Sequence, residues 1–284
     1  MQLRLACADF TFPLLGHEQA FKLISLLGFG AVDVGMFEQR SHLHPAHVIP
    51  RLPEAARELS QKVADCGLVF ADVFFQAQTF QSLAANHPDD AERAKGRDLF
   101  LRMLEFALRC NAPHMTGLPG VDWDGEPHDT SLKRCAEELS WRVEQAQRVG
   151  IVYSVEPHLG SVAPTPQQAL QLAQWAPGLT FTLDYTHFTY QGIADDEVEP
   201  LVKHASHFHA RGARKTRLQA PVKENSIDYP RVLRAMKAAN YSGYVGVEYV
   251  WQDWEHCNEV DNVSETILMR DLIVKSFEAA RQSP

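Results

Sequence analysis

The chain has 284 residues, 45% of them hydrophobic, which is enough for one large core, and α/β barrels commonly reach this length as a single domain. Acidic residues outnumber basic ones 36 to 27, and the net charge of -9 argues against general attraction to nucleic acid or to an anionic membrane. Five scattered cysteines without C-x-x-C spacing, a start unlike a signal peptide and the lack of any long apolar run weigh against a disulfide framework, a thiolate zinc site and a membrane span, so the expected location is the cytoplasm.

In chain order, short apolar runs alternate with longer stretches whose apolar residues recur every three or four positions. The first four runs are LRLACADF (3–10), AVDVGMF (31–37), LVFADVFF (68–75) and HMTGL (114–118). Four more follow: IVYSVE (151–156), LTFTLD (179–184), ASHFHA (205–210) and YVGVEYV (244–250). Helical patterns lie between them, among them 53–67, 93–110 and 131–150; in the last, Leu132, Leu139, Val143, Ala146 and Val149 form one stripe. Gly28, Gly67, Asn111 and Gly150 stand where left-handed residues end helices, and Thr165 with Pro166 stands where a helix begins. Strand then helix, eight times over with no linker, predicts one (β/α)8 TIM barrel across residues 1–284. A doubly wound open sheet is the rival, but no G-x-G-x-x-G follows any strand.

In such a barrel the chemistry belongs at the C-terminal ends of the strands. The fifth run ends at Glu156, the sixth at Asp184 and the seventh near His209, while the eighth holds Glu248. Spaced by about one strand–helix unit each, these four side chains should meet over the barrel mouth. Three carboxylates brought together repel unless a cation sits among them. With one imidazole added, the set suits a single divalent ion such as Mn, Mg, Co or Zn. His207 alternates onto the same strand face as His209, which lies nearer the strand end and is the better ligand. His187, three residues after Asp184, is a candidate substrate group. His42, His44 and His47 are read as loop surface, and His114, at the start of the fourth run, as structural.

Glu156, the Asp184-x-x-His187 pattern, His207-x-His209 and Glu248 resemble the xylose isomerase-like (β/α)8 superfamily, which holds sugar isomerases, ketose 3-epimerases, hydroxypyruvate isomerase, inosose dehydratase and the endonuclease IV group. The resemblance runs over essentially the whole chain. It implies that Glu156, Asp184, His209 and Glu248 bind the metal, that Glu156 and Glu248 also exchange protons with substrate carbon, and that His187 contacts a substrate oxygen. Where epimerases of the family place a substrate-binding Arg, six residues after the metal-binding His, this chain has Lys215, with Arg211, Arg214 and Arg217 around it. That cluster would suit an acidic or phosphorylated sugar. His158 replaces the Lys of two-metal aldose isomerases, which disfavours a hydride shift, and the third strand lacks the His of the endonuclease group.

The expected activity is therefore a metal-dependent isomerase or epimerase on a keto sugar or sugar derivative, by proton transfer through a metal-stabilised enediolate. Loss of a hydroxyl from the same enediolate would make the chain a keto-sugar or inosose dehydratase. A catalytically idle sugar-binding barrel is a third reading, which intact Glu156 and Glu248 oppose. Expected partners are a small sugar and possible further copies of the chain, with no nucleic acid and no membrane. Substrate-binding candidates are His187, His158, Arg211, Lys215 and Trp123, the last carried on a Gly- and Pro-rich loop, 117–128, that could act as a lid. Phe10, Phe12, Phe75 and Trp251 also follow strand ends, and one or two of them would exclude water.

Overall fold

A computed structural model describes residues 1–38, 40–77 and 79–282. Eight parallel strands close on themselves in sequence order. They are β1 (Leu5–Ala8), β2 (Ala31–Phe37), β3 (Val69–Gln76), β4 (His114–Gly117), β5 (Val152–Val155), β6 (Thr180–Asp184), β7 (Ala205–Ala210) and β8 (Val245–Val247). The ring is completed where β1 pairs with β8, Leu5 opposite Val245. Each strand leads into a helix: α1 (His17–Leu26), α2 (Leu52–Asp65), α3 (Asp90–Arg109), α4 (His128–Arg148), α5 (Pro166–Trp175), α6 (Thr186–Gln191), α7 (Tyr229–Ala238) and α8 (Asn262–Gln282). This is the (β/α)8 barrel that the alternation predicts.

The strand alternation sorts side chains into two layers. Val32, Val34, Val73, Met115, Phe181, Leu183, Phe208 and Val245 face outward and pack with helix residues such as Phe100, Leu132, Leu139 and Ile273 in the main core. Full burial of one such Leu is worth roughly 1.5–3 kcal/mol. The inward layer is polar instead: Asp33, Asp72, Thr116, Ser154, Thr182, His207 and His209 are all buried. Much of it is satisfied internally, because Thr182 Oγ1 lies 2.7 Å from Thr116 Oγ1 and 2.6 Å from Ser154 Oγ.

Helix ends follow local chemistry. Thr165 Oγ1 accepts from Gln168 N at 3.3 Å and opens α5, as its sequence suggests. Gly28, Gly67, Asn111 and Gly150 all take positive φ just past helices. Elsewhere the boundaries move. α3 begins three residues before the expected start because Asp89 Oδ1 caps the free amide of Ala91 at 2.8 Å. Val149, read as the end of an apolar stripe, lies beyond α4 and is 37% exposed. The first strand stops at Ala8, and Asp9–Thr11 turn as a 3-10 helix.

Candidate active site at the strand ends

The inter-strand register brings the chemical side chains to one level. Asp184 on β6 is opposite His209 on β7, and His209 is opposite Gly246 on β8. Glu156 and Glu248 are the first residues past β5 and β8, each tied to its neighbouring strand by its backbone amide: Glu156 N donates to Gly117 O at 3.0 Å and Glu248 N to Ala210 O at 3.1 Å. Four residues far apart in sequence thus share one end of the barrel, all of them buried.

Glu156 and Glu248 both approach one ring nitrogen. His209 Nδ1 lies 2.8 Å from Glu156 Oε1 and 3.5 Å from Glu248 Oε2. Arg211, two residues on and also buried, places Nη2 3.0 Å from Asp184 Oδ2 and Nη1 3.1 Å from Glu248 Oε2. His187, in the first turn of α6, sets Nε2 3.7 Å from Asp184 Oδ2 and 3.9 Å from Glu156 Oε2. Its Nδ1 accepts from Leu159 N at 3.3 Å, which leaves the Nε2 proton facing the carboxylates. His158 Nδ1 donates to Leu159 O at 2.7 Å, and its ring packs edge-on to His187 at 5.8 Å.

The electrostatics follow from this crowding. Burial would raise the Glu156 carboxyl, but the hydrogen bond and charge of His209 outweigh it and hold the group down at about 2. Burial lifts Glu248 to about 7 against the pull of His209 and Arg211. His209 would lose its proton on burial alone; Glu248 first and then Glu156 push it up to about 10. Burial dominates at His187 and lowers it to about 4.

The donor set fits a divalent cation. Ligand atoms of Glu156, His209 and Glu248 lie within 4.8 Å of one another, as do those of Glu156, Asp184 and His187. Glu248 Oε2 is held by ion pairs alone, to Arg211 Nη1 at 3.1 Å and His209 Nδ1 at 3.5 Å, and makes no well-aligned hydrogen bond. Carboxylate oxygens with one imidazole are what a hard or borderline ion takes.

Above this floor opens a cavity of about 80 Å³, continuous with solvent, bounded by Glu156, His158, His187, Arg211 and Glu248 below and by Phe80, Trp251 and Trp254 near the rim. Phe10 and Trp251 line it as expected, together with Phe37, Phe74 and Arg40, which the sequence reading did not single out. Phe12 and Phe75 pack in the main core instead.

Two candidates need correction. Trp123 does not line the cavity: its Nε1 donates to Asn86 Oδ1 at 3.2 Å and its ring meets His87. Lys215 is exposed outside the cavity, because Arg214 and Arg217 pair across a tight turn with Thr216 at φ 61°. Nor do the cations of that stretch act together. Arg214 meets Glu224 at 3.3 Å, Arg217 meets Glu259 at 2.7 Å, and only Arg211 points inward.

The other histidines separate similarly. His207 Nε2 lies 3.0 Å from Asp33 Oδ2, a paired core histidine. His114 bonds Asp72 Oδ1 at 2.7 Å through Nδ1 and Ser206 Oγ at 2.8 Å through Nε2, at the opposite end of the barrel. His42, expected on the loop surface, is partly buried and stacks on His17 at 4.5 Å.

A family model described as xylose isomerase-like TIM barrel matches residues 21–271. A 2-oxo-tetronate isomerase of Pectobacterium atrosepticum is 27% identical over 176 residues, covering 57% of this chain and 63% of that protein. Among solved structures, L-ribulose 3-epimerase superposes with TM-score 0.76 at 17% identity, over 99% of this chain and 96% of that one. D-allulose 3-epimerase of Methylomonas sp. in complex with D-allulose gives 0.77 at 12% identity, over 97% of each chain. A probable 3-DHS dehydratase of Bacillus anthracis gives 0.70 at 12%, over 96% and 99%. At these identities the structural likeness is one of fold. Among the described residues, no helix is long and apolar enough to cross a membrane.

Proposed function

The chain belongs to the xylose isomerase-like TIM-barrel family, and from that premise we propose that it is a divalent-metal-dependent isomerase or epimerase of a keto sugar or sugar derivative. The observation that carries this reading is the approach of two glutamates, from β5 and β8, to the same His209 nitrogen beneath one cavity. Two carboxylates from different strands can serve one substrate carbon, or two adjacent ones, from different directions: one takes the proton, the other returns it. A divalent ion held by Glu156, Asp184, His209 and Glu248 would supply Lewis-acid polarisation of a substrate carbonyl.

The rest of the work falls to the chain's own residues. The Nε2 proton of His187 is aimed into the site and suits a substrate oxygen. His158 packs on His187 and Phe80 and helps fix the ring. Arg211 holds Asp184 and Glu248 in place by its two ion pairs. Phe80, Trp251 and Trp254 restrict water at the rim, where a carbanion-like centre would otherwise be quenched.

The test is solvent deuterium incorporation, followed by NMR, into ketoses, keto acids that include 2-oxo-tetronates, and inososes incubated with metal-loaded protein. Chelator-sensitive exchange beside a carbonyl, abolished in Glu156→Gln and Glu248→Gln, is expected. A product of unchanged formula marks isomerisation or epimerisation, whereas one lacking water marks a dehydratase. Absence of exchange from every candidate, with metal demonstrably bound, would sink the proposal.

A further inference from the structure

We propose that the cavity rim carries an anion subsite built on Arg40, and that the substrate is a sugar acid whose carboxylate docks there while its carbonyl end reaches Glu156 and Glu248. The inference rests on the isomerase or epimerase reading above and adds the substrate class to it.

Arg40 lines the cavity just beyond β2, with its guanidinium carbon 5.5 Å from the centre of the Phe37 ring. Among the described residues it has no carboxylate within ion-pair distance, unlike Arg211, Arg214 and Arg217. Its partners are two neutral amides. Nη2 donates to Gln76 Oε1, and Nη1 donates to Gln252 Oε1 at 3.3 Å. A guanidinium can only donate, so both amides turn their oxygens toward it. That leaves Gln76 Nε2, Gln252 Nε2 and Arg40 Nε without acceptors among the described residues. Gln76 and Gln252 line the same cavity as Arg40. The rim thus gathers a full positive charge and three spare N–H donor groups, while the acids lining the cavity, Glu156 and Glu248, lie on its floor.

This polarity orients a ligand. On the floor Glu156, Asp184 and Glu248 are balanced by Arg211 and a divalent ion, so the uncompensated cation lining the cavity is Arg40, and a short-chain acid docks its carboxylate there with its carbonyl end toward the floor. The charge count favours a carboxylate over a phosphate. One unpaired guanidinium with two amides matches a planar monoanion, whereas a phosphate dianion would call for a further cation, and the other cavity-lining arginine, Arg211, is committed to Asp184 and Glu248.

The experiment is isothermal titration of the metal-loaded protein with one four-carbon skeleton carrying three end groups: erythronate, erythritol 4-phosphate and erythritol, with the threo series alongside. Erythronate or threonate is expected to bind at least 10-fold more tightly than the neutral polyol. Arg40→Met should weaken acid binding about 10- to 100-fold and leave the polyol unchanged. Arg40→Lys should restore part of the loss, and Lys215→Met should have no effect. Equal affinity for acid and polyol, or acid binding lost in Lys215→Met and kept in Arg40→Met, overturns the proposal. Tighter Arg40-dependent binding of the phosphate overturns the choice of carboxylate. Deuterium exchange into neutral ketoses that Arg40→Met leaves intact, with no acid bound, removes this inference and spares the isomerase reading. Arg40-dependent acid binding with no exchange in any compound removes the isomerase reading and spares the subsite.

Discussion

The two ends of this barrel bury the same residue types and use them differently. At the N-terminal end His114 has both ring nitrogens engaged, by Asp72 and Ser206, and deeper in the barrel His207 is bonded to Asp33, whose Oδ2 lies 3.9 Å from His209 Nε2 as well. At the C-terminal end Glu156, Asp184 and Glu248 crowd around His209, His187 and Arg211, and Glu248 Oε2 is shared between Arg211 and His209. A buried histidine beside a carboxylate is therefore not in itself a sign of chemistry. What sets the candidate site apart is the sharing of partners among several carboxylates and cations, since unpaired carboxylate oxygens, Asp33 Oδ1 and Asp72 Oδ2, and a cavity beside His114 and His207 occur away from it as well.

The largest effect that could break this contrast is on turnover. Glu156→Gln or Glu248→Gln should cost about 10²- to 10⁴-fold in kcat with the fold retained, checked by kinetics beside a thermal melt. Next comes Arg211→Met, which leaves Asp184 and Glu248 buried without their guanidinium. About 3–5 kcal/mol of stability should go, read from urea unfolding of the metal-free protein. At the quiet end, His114→Phe strands Asp72 and should cost about 1–3 kcal/mol, yet leave kcat of the folded fraction unchanged. A fall in kcat as large as that of the glutamate variants would erase the distinction between the ends.

The dependence on pH sharpens the same contrast. His209 is raised from the ordinary 6.5 to about 10, so between those values the folded metal-free chain holds a proton that the unfolded chain has shed. Its contribution is complete below pH 6.5 and is lost as pH rises toward 10. Glu248, raised from 4.5 to about 7, acts in the same direction between those values. Urea midpoints measured from pH 6.5 to 10 should fall for the wild type and fall less for His209→Gln. The smallest expected effect lies outside both ends: Thr165→Ala removes the α5 cap and should cost about 1 kcal/mol in the same titration, with no change in kcat.

Much of this was legible in the sequence. The strand runs show because residues between two layers must be apolar and β-prone, and Glu156, Asp184, His209 and Glu248 show because polar groups at successive strand ends have no reason to cluster without chemistry. What stayed hidden depends on how loops fold back. Trp123 comes in the loop after β4, six residues past Gly117, and Asn86 from another loop holds its ring away from the cavity. Lys215 sits at an expected interval, but the turn through Thr216 exposes it. Arg40 lies in a loop among histidines with no local pattern, and its place at the rim emerges only once Gln76 and Gln252 are brought beside it by ring closure.

The closure between β1 and β8 also has a consequence for how the protein is made. Leu5 finds its partner only after Val245 exists, so a nascent chain carries an open sheet whose first strand has one unpaired edge through most of synthesis. Until then the ring is a growing ribbon with two exposed edges, the state in which such a chain is most prone to pair with a neighbour. Glu248 directly follows the closing strand, so the last glutamate of the site is set in place by the same event that seals the ring.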